Sequence, residues 1–213
     1  GPSVTNSGRL RAAGLLRIDQ STATGSLEND STGTVLGDTL QVQTNAFTNS
    51  GAIQAAHGAA ITATSLDNAA SAKILTSTAG DGAGSLQIAG MLTNTGAIHG
   101  GGDLTVTAGS IANLGTAGLS SLHALSLTST GGNISNAGSL YAEQVLNVNT
   151  GLNTFLNSGT VSAGVPASGI GDMNFTTHTF RNTGVISAQR NVSIDTTHFF
   201  NEPVGGIAGL VIT

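Results

Sequence analysis

The chain has 213 residues, of which 8% are charged and 3% aromatic, with neither Cys nor Trp. Six Lys+Arg against eleven Asp+Glu give a net charge of −5, which argues against a nucleic-acid binder, and the missing Cys excludes a disulfide scaffold or a thiolate site. The 38% apolar fraction is too high, and the net charge too low, for a disordered chain, and no apolar run approaches the ~20 residues of a membrane-crossing helix. Gly, Ala, Ser and Thr supply 109 residues, so whatever core forms must be built around small side chains.

In chain order, Gly1-Pro2 reads as the remnant of an expression tag, and residues 3–213 as one repeat segment excised from a much larger protein. The repeat is marked by an Asn two positions after a large apolar residue, as in Phe47-Thr48-Asn49, Leu92-Thr93-Asn94, Phe155-Leu156-Asn157 and Phe180-Arg181-Asn182. The full set is Asn6, Asn29, Asn49, Asn68, Asn94, Asn113, Asn136, Asn157, Asn182 and Asn201, spaced about 22 residues apart. In six copies the Asn opens a phrase close to Asn-x-Gly-x-apolar-x-Ala, as in Asn49-Ser-Gly51-Ala-Ile53-Gln-Ala55. After Asn29, Asn68, Asn113 and Asn201 the turn is two residues longer, reaching Val35, Ile74, Leu119 and Ile207. Six and eight positions beyond that apolar residue follow two more of the same parity, such as Leu104/Val106, Leu125/Leu127 and Leu146/Val148.

Short runs of period-2 alternation separated by Gly, Asn, Ser and Asp signal strands, and no segment sustains a capped helical pattern. The same unit with the same inward parity returns ten times. Its economical packing stacks each unit on the last, which predicts an all-β parallel β-helix (β-solenoid) of about ten coils spaced ~4.8 Å apart. Stacked Asn side chains would then form an amide ladder along the axis; the competing reading is that Asn tolerates a left-handed turn conformation. Gly-rich interruptions at 76–85 and 162–172 are expected to loop out of the coils.

The residues offer little chemistry. His57 and His123 fall in one column but three coils apart, roughly 14 Å, too far to share a metal. Of the carboxylates only Glu28 and Asp30 lie close in sequence, and no copy of the repeat shows a carboxylate column facing Lys or Arg, so neither a catalytic centre nor a metal or other cofactor is expected. Asp81-Gly-Ala-Gly84 and Gly100-Gly-Gly-Asp103 look like calcium-binding repeats but do not recur in tandem. Five of the six Phe fall after residue 150. Phe at the position before Asn (Phe47, Phe155, Phe180, Phe199) reads as a stacked core column. Phe175, His178, Arg181, His198 and Phe200 form the candidate contact surface.

The unit apolar-x-Asn-x-Gly-x-Ile-x-Ala followed by Leu-x-Val-x-Thr resembles the repeats of filamentous haemagglutinin-like exoproteins. Leu92-Thr-Asn-Thr-Gly-Ala-Ile98 and Gly101-Gly-Asp-Leu-Thr-Val-Thr-Ala108 carry the resemblance, which extends over residues 4–207. It implies a right-handed β-helix from a very large protein of Gram-negative bacteria. Such proteins are secreted through an outer-membrane transporter partner to the cell surface, and include adhesins and contact-dependent growth inhibition exoproteins. The resemblance carries over no catalytic or binding residue, because the shared motif is the coil itself. Two functional expectations follow: a recognition segment that binds a protein or glycan receptor on a target cell, or a passive stalk. A glycan-acting enzyme is the outsider. The isolated chain is expected to be monomeric, apart from end-to-end association of its exposed coil edges.

Overall fold

The structure, a computed structural model, describes residues 3–21, 24–166, 169–209 and 211–212. Gly1-Pro2 lies outside them, as do residues 167 and 168 of the second interruption. The chain is an all-β parallel β-solenoid of about ten coils, and no helix occurs among the described residues.

Each coil begins at the turn after its Asn. The first strand of successive coils builds a ten-stranded parallel sheet running from Arg9–Arg11 through Thr34–Gly37 and Ala52–Ala55 to Gly206–Ala208. The rest of each coil lies in a second, 16-stranded sheet. Every described strand pair is parallel, and the register sets equivalent residues of the repeat side by side, as in Val35↔Ile53, Ile53↔Ile74 and Ile74↔Ile98. This is the arrangement that the returning parity demanded: a stacked repeat satisfies its backbone amides with the coils above and below.

The inward residues form continuous columns. Val35, Ile53, Ile74, Ile98, Leu119, Val161 and Ile186 are all 0% exposed and stack along the first sheet. Leu27, Phe47, Leu66, Leu92, Ile111, Ile134, Phe155 and Phe180 form the column that precedes the asparagines. Each fully buried side chain of this size contributes roughly 1.5–3 kcal/mol. The core is narrow, so the large rings sit together. Phe155, Phe175 and Phe180 meet with centroids 5.2–5.6 Å apart, in the tilted and edge-on geometry that aromatic quadrupoles prefer.

The ten asparagines form one unbroken ladder. Nδ2 of each donates to Oδ1 of the next in nine links of 2.7–2.8 Å, from Asn6 to Asn201. Interior amides also donate to a backbone carbonyl of the following coil, such as Asn49 to Lys73 O at 3.2 Å and Asn94 to Gly118 O at 3.1 Å. Among the described residues, Ser71 is the one non-glycine with positive φ. The ladder asparagines are therefore selected for hydrogen bonding and not for a left-handed backbone.

The Gly of the Asn-x-Gly phrase has a separate cause. A Cβ at Gly159 would run into the carbonyl oxygen of Gly138 one coil away, and one at Gly51 into those of Gly33 and Asp30. The chain turns so close to its neighbour that only hydrogen fits. The four longer turns instead close as β-turns. Gly33, Ala72, Ala117 and Gly205 donate N–H bonds of 2.8–3.1 Å to the carbonyls of Asp30, Ala69, Leu114 and Glu202, and Pro203 takes the second position that its fixed φ suits. In four coils the second and third strands merge: Gly84–Asn94, Leu104–Asn113, Asp172–Asn182 and Asn191–Asn201.

Candidate functional site

The outward residue just before each ladder Asn forms a column on the rod's surface. In the later coils it reads Ser135, Leu156, Arg181, Phe200. Two positions earlier stand Thr154, Thr179 and His198. Parallel register at ~4.8 Å places Arg181 between the apolar Leu156 and Phe200. Around this column lies a cleft of about 540 Å³, lined by Asn133, Thr154, Leu156, Thr179, Arg181, Phe200 and Glu202. A second hollow of about 340 Å³ shares Leu156 and Arg181 and extends the groove to Leu114.

The groove is polar and apolar by turns. Phe200 is 52% exposed and Leu114 38%. The Arg181 guanidinium donates from Nε and Nη2 to Glu202 Oε1 at 3.1 and 2.9 Å, an exposed pair worth little to stability but effective in fixing the orientation of Arg181. Asn133, Thr154 and Thr179 add amide and hydroxyl groups. The arrangement can hold an extended ligand that offers both apolar faces and hydrogen-bonding groups.

Of the five residues expected at a contact surface, the structure places Arg181 and Phe200 in this groove and His198 exposed beside it. His178 is half-buried and meets the His198 ring edge-on with centroids 5.1 Å apart. Phe175 is corrected: it is 1% exposed and belongs to the core, because its strand continues the inward column of Val148. Phe47, Phe155 and Phe180 are core residues as expected, whereas Phe199 stacks on Phe180 but remains 51% exposed in the last coil. Sequence reasoning missed Asn133, Thr154, Leu156, Thr179 and Glu202. The signal for Leu156 was available, since it occupies the same repeat position as Arg181 and Phe200.

Several other ionisable residues have partners on a neighbouring coil. The Asp172 carboxylate accepts from Arg190 Nε at 2.8 Å, and that guanidinium holds it below the usual carboxylate range. His99 accepts or donates at Ser120 Oγ, 2.9 Å away, and burial lowers its pKa. Asp103 lies 4.0 Å from His123. Among the described residues no three His, Cys, Asp or Glu converge as metal ligands do.

His57 is the one histidine tied to an interruption. Its Nδ1 lies 2.8 Å from Asp81 Oδ1 in the loop at 76–83, and its Nε2 lies 3.5 Å from Asp38. The hydrogen bond and charge of Asp81, then the charge of Asp38, raise its pKa above 6.5. A raised histidine pKa stabilises the clasp fully below the unfolded value of about 6.5, and that contribution is lost as pH rises through the folded value. Hydrogen exchange in the 76–83 loop is therefore expected to be slower at pH 6 than at pH 8, after correction for intrinsic rates. His57→Gln should remove the difference; an unchanged pH dependence in that variant would refute the clasp.

Fold and surface together define the chain as a rod-like parallel β-solenoid with an internal asparagine ladder and a groove along its last coils. No family model matches the chain, and no match was found among curated proteins or solved structures.

Proposed function

We propose that the chain is a length of a secreted, surface-displayed bacterial exoprotein of the filamentous haemagglutinin type, exported through an outer-membrane transporter, and that it acts in contact with other cells. What supports this is the coupling of the recurring phrase to the coil. Its Asn forms the ladder, its Gly permits the close turn, and its apolar residues fill the columns. The groove carries the contact role, because its exposed Phe200, Leu114 and oriented Arg181 depart from the uniform small-residue surface that a spacer needs. The receptor is a protein or glycan on the target cell.

Labelled chain should bind target cells saturably, and Phe200→Asp with Leu156→Ser should weaken that binding at least about tenfold, or ~1.4 kcal/mol. Both side chains point outward, so circular dichroism and melting of the variant should match the parent. No saturable binding to either Gram-negative or host cells would favour the second reading, a passive stalk, to which the polar outward column of the earlier coils (Thr5, Glu28, Thr48, Asp67, Thr93) is suited.

A further inference from the structure

We infer that a hollow on the turn side of the rod, over the coil that follows Asn94, binds a carboxylate-bearing sugar residue of the uronic-acid type. It lies apart from the groove at Arg181, so it stands or falls independently of the contact role proposed above. Its walls come from turn length. The turn after Asn94 is short, while those after Asn68 and Asn113, on the coils to either side, are two residues longer. The long turns stand up as ridges two coils apart, roughly 9–10 Å, and the short turn is sunk between them. Gly96 packs so closely against the first ridge that a Cβ there would run into the carbonyl oxygens of Ala69 and Ala72. The result is a hollow of about 400 Å³ in the middle of the rod.

Its walls are polar and its floor is bare. Ser71 stands on one ridge and Thr116 on the other, both exposed, and Gly96, Ala97 and Gly118 between them carry almost no side chain. Lys73, the chain's one lysine, pairs in register with Ala52 and Ala97, so no large side chain crowds it along that column. Among the described residues Lys73 makes no ion pair, and the hydroxyls of Ser71 and Thr116 have no hydrogen-bond partner. Thr95 Oγ1 donates to Asn68 O at 3.1 Å and keeps its capacity to accept. The hollow thus offers one positive charge, two free hydroxyls and one acceptor around a flat floor. A lone ammonium is a point charge that suits a single carboxylate, and the hydroxyls suit those of a sugar. A pyranose ring with one carboxylate meets both demands.

Two observations single this hollow out. Ser71 has a φ of 68°. It occupies the third position of the turn closed by the Ala72 N–H on Ala69 O, where glycine would sit without strain. A side chain kept there against that cost points to a use for its hydroxyl. The short turn after Asn49 also lies between two long ones and supplies a contrast. On its ridge the Thr32 hydroxyl is already engaged with Ser7 O and Asp30 Oδ1, both at 2.8 Å, and the Asp30 carboxylate would repel an anion.

Titrating trigalacturonate into the isotopically labelled full chain should shift NMR resonances of residues 71–73, 95–97 and 116–118 saturably at millimolar concentration. Resonances of the 76–83 loop and of Leu156 should stay in place. The methyl ester of the same trisaccharide, which keeps the rings and loses the charge, should bind at least about tenfold more weakly. Salt should weaken binding of the acid, because Lys73 is exposed. Lys73→Met keeps most of the stem without the charge and should also lose at least about tenfold in affinity. Ser71→Gly separates binding from structure: it should raise the melting temperature by relieving the turn, and yet lower the affinity. Circular dichroism of both variants should match the parent, since both positions are exposed. No saturable shift, shifts scattered along the rod, equal binding of acid and ester, or parental affinity in either variant would each overturn the proposal.

Discussion

Ile53→Asp is expected to unfold the coils around it. Ile53 is 0% exposed between Val35 and Ile74, themselves 0% exposed, in a column made of Val, Ile and Leu. The substitution loses the burial of a large aliphatic group and puts a carboxylate where the flanking column offers only hydrocarbon. The cost is about 4–5 kcal/mol or more, which for a chain of this size corresponds to a melting point lower by roughly 10–20 °C. Ile53→Val, which keeps the chemistry and leaves a small void, should cost only about 0.5–1.5 kcal/mol. Because coils contact mainly their neighbours, the damage should be local. Hydrogen exchange should rise first in residues 34–75, while the coils beyond Asn113 keep their protection. A melting point within a few degrees of the parent, or uniform loss of protection, would contradict this account of the core.

The coil was legible because stacking forces equivalence. A ladder rung works only if each coil offers the same amide, and Asn29, Asn49 and Asn68 hold their place although their spacings differ. Turn length was legible for the same reason: the extra two residues after Asn29 or Asn68 close a β-turn without disturbing the register of Val35 or Ile74. Phe175 stands out by residue type as a contact residue, but its parity decides its place. It follows Met173 as Val148 follows Leu146, and parity alone puts it inside. The groove was only half visible. Arg181 and Phe200 stand out as residue types, but Leu156 and Thr154 become a surface only when coils 19 to 25 residues apart are laid side by side. The His57–Asp81 clasp had no such signal, since Asp81 sits in an interruption that obeys no period.

Removing one rung of the ladder is expected to cost nearly as much as the core substitution, and its pH dependence separates hydrogen bonding from packing. Asn94 is 0% exposed. Its Oδ1 accepts from Asn68 at 2.8 Å, and its Nδ2 donates to Asn113 Oδ1 at 2.8 Å and to Gly118 O at 3.1 Å. Asn94→Ala strands the Asn113 acceptor, and each buried group left unpaired costs about 1–3 kcal/mol, so a total of about 3–5 kcal/mol is expected. Asn94→Asp keeps the shape and still accepts from Asn68. An ionised carboxylate, however, would face Asn113 Oδ1 and Gly118 O with no proton to donate, whereas a protonated one can fill the place of the lost N–H. The folded state therefore raises the pKa of this new acid. Its stabilising contribution is fully present below the unfolded value of about 3.9 and is lost as pH rises through the folded value. Denaturant unfolding at pH 4 and pH 7, each referred to the parent at the same pH, should show Asn94→Asp recovering toward the parent in acid and Asn94→Ala unchanged. Equal pH dependence in the two variants would mean that the column is held by packing, and that the polarity of its amides contributes nothing.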